Sequence, residues 1–104
     1  MLPIEEKEFR EAIKATHGVD SQFVESTPVH LMWEGKSIWK GIVDLFELVD
    51  HPKAEHCYAW RFYNDRQWRY TTVLEIPPVI GPQSAVKVGV AHQIKKAREN
   101  KSQT

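Results

Sequence analysis

HCYAWRFYNDRQWRYTTVL, residues 56–74, is the stretch on which the fold turns. Two runs rich in aromatic and β-branched residues, 56–63 and 68–76, flank NDRQ, a polar break of hairpin length. The stretch therefore reads as an antiparallel hairpin, and its side chains suggest a register. If Asn64 faces Trp68 across a three-residue loop, Phe62 faces Tyr70, Trp60 faces Thr72 and Tyr58 faces Leu74, which gathers the bulky groups on one side. The other side then pairs Tyr63 with Arg69, Arg61 with Thr71 and Ala59 with Val73. A slip of one residue sets rings across from charges, at an expected loss of up to about 1 kcal/mol per cross-strand contact. The unslipped register is the expectation, with rings inward and guanidinium groups outward.

Before the hairpin, SIWKGIVDLFELV (37–49) is another β-rich run. One face carries Ile42, Asp44, Phe46 and Leu48 and the other Trp39, Gly41, Val43 and Leu45, so both sides call for cover. Gly41 suggests a bulge or a close backbone approach. QFVESTPVHLMW (22–33) is β-prone but holds Pro28, which cannot donate to a ladder, so short edge pieces are expected there. Residues 4–17 place Phe9, Ala12, Ile13 and Thr16 at helical spacing after Pro3, with acidic residues at the positive end and Gly18 as the stop. PPVIGP (77–82) halts the sheet. Ser84 then opens a second helix with Val86, Val90, Ile94 and Ala97 on one stripe.

The order predicts a single α+β domain over residues 1–100, α-β-β-β(-β)-α, with an antiparallel sheet, both helices on one face and a frayed tail at 101–104. At 104 residues one core is expected. No apolar run is long enough to span a membrane, and MLPIEEKEFR is acidic where a secretory signal would be basic and then apolar. With a single cysteine, which suits a reducing compartment, a cytoplasmic protein is expected. Formal charge is zero, yet residues 1–50 hold five Lys/Arg against ten Asp/Glu and residues 51–104 hold nine against four. Such a split allows a basic ligand surface, a self-complementary contact or simple pairing within one domain.

Five histidines and Cys57 offer zinc-binding atoms, but adjacent His56 and Cys57 on a strand point to opposite faces, and no Cys-x-x-Cys or His-x-x-x-His pair accompanies them. No metal and no cofactor is expected. Cys57 reads as a small buried apolar residue. Glu5, Glu8 and Glu11 are spaced like a solvated helix face, and VIGPQS is a turn rather than a phosphate loop. Two features keep functional weight. The second hairpin face brings Arg61, Tyr63 and Arg69 together, a combination suited to a phosphate, a base or an acidic partner segment. The last helix ends basic, with Lys95, Lys96 and Arg98.

The element order is similar to that of the double-stranded RNA-binding domain, although the start of the last helix offers only Lys87 where that family is basic, and the first loop reads DHPKAEH. WKGIVDLFELVDHPKAEHCYAWRF followed by VLEIPPVIGPQSAV resembles a group of small bacterial proteins without an assigned activity. That resemblance implies that HPKA joins two strands, with His51 and Pro52 shaping the turn and Lys53 exposed. The leading functional expectation is a non-catalytic module that binds a protein partner, or itself, through an open sheet face or edge. The alternative is single-stranded nucleic-acid binding on Arg61, Tyr63, Arg69 and the basic helix. A third reading is an enzyme built on Cys57.

Overall fold

The computed structural model of the chain describes the backbone of residues 1–102 and the side chains of residues 1–95. The fold is α+β in a single domain: helix α1 (Pro3–His17), strands β1 (Ser21–Trp33), β2 (Lys36–Leu48), β3 (His56–Asn64) and β4 (Gln67–Leu74), and helix α2 (Pro82–Ser102). The strands form one antiparallel sheet in the order β1-β2-β3-β4, each beside its neighbour in sequence. Of the tail expected to fray, residues 103 and 104 lie outside the described residues.

Local chemistry sets the helix ends. Pro3 occupies the first turn of α1 with Glu5 and Glu6 near its positive end, and Gly18 closes the helix at φ 76°, its N–H bonded to the Lys14 carbonyl. α2 begins at Pro82, two residues before the predicted start. Ser84 lies inside the first turn, and its Oγ reaches back to accept from the N–H groups of Ile80 and Gly81.

The helices pack on opposite faces of the sheet, which corrects the one-face expectation. Ala59 is buried with Phe9 and Ile13 of α1 and with Phe46, Leu48 and Cys57. Its neighbour Trp60 is buried on the other side with Ala85 and Val86 of α2 and with Val29, Val43 and Tyr58. Successive strand residues alternate faces, so β2 and β3, apolar on both, are stable only with a lid on each. Gly89 fits the second lid to the sheet: a Cβ there would lie 2.6 Å from the Trp60 indole.

The β3–β4 register is also corrected, by one residue. Asn64 pairs with Gln67, Phe62 with Arg69, Arg61 with Tyr70, Trp60 with Thr71 and Tyr58 with Val73. Only Asp65 and Arg66 form the loop, at φ 52° and 64°, the double left-handed conformation of the two-residue turns that match strand twist. The rejected mixing of rings and charges is favourable here, because the Arg61 guanidinium lies 3.9 Å from the centre of the Trp68 ring.

β1 is one edge strand of thirteen residues rather than short pieces, with Pro28 in its middle. Its ladder with β2 is irregular at Val24 on β1 and at Ile38 on β2. Gly41 pairs regularly with Val29, and the close approach comes from the Trp39 ring, 2.9 Å from where a Cβ would stand. β2 and β3 pair only over Asp44–Glu47 and His56–Ala59. Between these strands His51 shapes the loop, its Nδ1 accepting from the N–H groups of Lys53 and Ala54, and Lys53 is exposed.

Candidate interaction surface

Arg61 is drawn into the fold by α1. Its Nη2 donates to Glu5 Oε1 at 2.8 Å, its Nη1 stands 3.9 Å from Glu8, and its plane covers Trp68. Tyr70 donates to Glu8 and meets Phe9 edge-on, which completes the seam between α1 and the sheet. The acidic residues of α1 thus face the sheet as well as solvent, and the acidic first half of the chain pairs here with the basic second half.

The structure does not assemble Arg61, Tyr63 and Arg69. Tyr63 shares the Arg61 face, where its ring meets Trp68. Arg69 pairs with Phe62 and so points to the α2 face, at the rim of a groove that also includes Gly89 and Gln93. Arg69 is half exposed and, among the described residues, has one distant ion-pair neighbour, Asp65 at 4.0 Å. Lys95 is exposed, and the side chains of Lys96 and Arg98 lie outside the described residues.

Cys57 is fully buried, and burial pushes its thiol up to about 12, so it presents no thiolate at neutral pH. The histidines do not gather into one cluster, although the His17 and His51 rings stand 6.5 Å apart. His17 bonds Thr72 Oγ1 at 2.8 Å, His30 bonds Ser37, and His56 lies 3.5 Å from Glu75. Glu75 also accepts from the Tyr58 hydroxyl at 2.5 Å, and burial together with that carboxylate holds the phenol well above its ordinary range. No cluster of three or more metal-ligating side chains occurs among the described residues. Asp44, also buried, accepts from Ser26 at 2.5 Å, and desolvation raises its carboxyl. It lines a cleft of about 530 Å³ with Phe9, Ile42 and Trp68, where the two hairpins part.

The sheet's two outer edges differ. On β1, Pro28 removes a donor and the Val24 irregularity bends the strand, both of which discourage pairing. On β4, QWRYTTVL contains neither proline nor glycine and its ladder with β3 is unbroken. The Glu75 N–H bonds the His56 carbonyl at 2.9 Å, marking 56–75 as a hydrogen-bonded pair. By alternation, 58–73, 60–71 and 62–69 are bonded pairs, and the main-chain groups of Trp68, Tyr70, Thr72 and Leu74 point outward. This edge lies in a groove of about 930 Å³ flanked by Thr16 of α1 and by Val88, Gly89, His92 and Gln93 of α2. Sequence reasoning named a free edge without finding it. The available signal was the contrast between a first strand holding Pro28 and a last strand free of proline.

Comparison with protein-family models, with curated proteins and with solved structures finds no match. The chain's own geometry therefore carries the functional reading.

Proposed function

We propose that the chain is a non-catalytic interaction module that takes up an extended protein segment, from a partner or from a second copy, along the free edge of β4. The difference between the two sheet edges is the observation behind this reading: β1 holds Pro28 and the Val24 irregularity, whereas β4 turns a regular row of donors and acceptors into a groove. Strand addition draws affinity from main-chain hydrogen bonds and selectivity from flanking side chains. Here those are Arg69 and Thr71 on one face and Tyr70 and Thr72 on the other. The single buried Cys57 suits work in the reducing cytoplasm. The nucleic-acid reading has less support, because Arg61 is committed to Glu5 and Trp68 and Arg69 points away from it.

The test is selection of random peptides displayed on phage, followed by amide chemical-shift mapping of a selected peptide. Shifts centred on residues 68–74, abolished by Thr72→Pro, are the expected result. Proline at that position removes an outward N–H and leaves the β3 ladder intact. Shifts centred on Tyr63 or Lys95, or binding indifferent to Thr72→Pro, would overturn the reading.

A further inference from the structure

We infer that the strand taken up at this edge is β4 of a second copy, running antiparallel across a two-fold axis through Thr72. The inference rests on the edge-addition reading and supplies its occupant. Outward main-chain groups belong to even-numbered residues, so a symmetric pairing must join even residues to even ones. With Thr72 opposite Thr72, Tyr70 faces Leu74, Thr71 faces Val73 and Arg69 faces Glu75. Moving the axis to Thr71 sets Arg69 against Val73 and leaves Glu75 without an opposite cation. One register alone thus satisfies both hydrogen bonding and charge, and symmetry makes the Arg69–Glu75 pair twice.

The surroundings fit the same arrangement. Arg69 is half exposed and, among the described residues, its nearest carboxylate, Asp65, is at 4.0 Å, which leaves the guanidinium donors to offer a second molecule. Glu75 is one-third exposed; it accepts from Tyr58 and lies near His56, and a carboxylate has further lone pairs to offer. Trp68 and Ile76, both exposed apolar residues, come to the same level across the axis. The Leu74 carbonyl, which already accepts from Ile76, has a second lone pair for the Tyr70 N–H of the copy. Among the described residues, the flank of α2 that lines the groove presents Val88, Gly89, His92 and Gln93, none of them a Lys, Arg, Asp or Glu.

The experiment is sedimentation velocity over a concentration series of the full chain, with amide hydrogen exchange measured at low and high concentration. The expected result is a monomer–dimer equilibrium in which the amides of Tyr70, Thr72 and Leu74 gain protection as concentration rises. Arg69→Glu is expected to weaken dimerisation about tenfold or more by facing two carboxylates at each end, and Arg69→Glu with Glu75→Lys to recover most of that loss. Circular dichroism confirms that each variant is folded. A protein that stays monomeric at millimolar concentration overturns self-pairing, and so does a dimer that survives Thr72→Pro. In either case a phage-selected peptide that still protects the same three amides leaves the edge reading standing, whereas a peptide that fails to protect them removes both.

Discussion

Arg61 illustrates how a side chain that looks like a ligand handle can be a structural tie. Partly buried, it holds α1 through Glu5 and covers Trp68, so removing it costs the hydrogen-bonded ion pair and the ring contact together. Arg61→Ala is expected to destabilise the fold by about 1–2 kcal/mol, read from denaturant unfolding, while leaving peptide uptake at β4 unchanged. Its neighbours on the strand could be identified from sequence and its partners could not. Trp60 reads as core from its place on the ring-bearing face and Cys57 as a small buried apolar residue, but Glu5 lies 56 residues away and only the docking of α1 brings it near. Arg69 was misplaced for a related reason. Its face depends on a register set by the two left-handed turn residues Asp65 and Arg66, and that turn overrides the pairing of ring with ring.

Among the elements, the β3–β4 turn has an unusual composition. Asp65 and Arg66 both sit at positive φ, where glycine is the residue without penalty. Arg66→Gly is expected to stabilise the hairpin by about 1 kcal/mol, seen as a higher unfolding midpoint with an unchanged slope. α2 behaves in the opposite sense. Glycine inside a helix ordinarily gains from replacement by alanine, yet at position 89 the new methyl group would enter the Trp60 indole, a rigid buried ring. Gly89→Ala is expected to cost roughly 1–3 kcal/mol and to shift tryptophan fluorescence. The helices were legible because their apolar spacing is regular, and β2 because it is dense in β-branched and aromatic residues; Val86 and Val90 do face the sheet. The stripe fails at Ile94, which is exposed, and the side chain of Ala97 lies outside the described residues.

For the whole molecule, pH response follows from a partly buried histidine and a buried carboxylate of opposite sense. His17 is held below the ordinary histidine value of 6.5, first by burial and then by the nearby His51. The unfolded chain therefore takes up a proton that the folded one resists, and stability falls as pH drops through about 6.5. Asp44 is raised above 3.8, so between that value and its folded one protonation favours the native state and stability is regained as pH falls. Thermal unfolding at a series of pH values is expected to show a loss between pH 7 and 5.5 that His17→Gln flattens, since glutamine keeps a donor for Thr72 without the titration. Fold class and element order were readable at this scale. The side on which each helix lands was not, because apolar residues on both faces of β2 demand two lids without saying which helix supplies which.

Pro28 and the Val24 irregularity bear on what happens when many copies meet. A fibril grows because every subunit that joins leaves a fresh rim for the next, which requires two receptive rims per molecule. This sheet has one receptive rim and one obstructed. A pair joined through Thr72 presents only obstructed strands to the outside, so growth stops at two and crowding alone does not turn the protein into polymer.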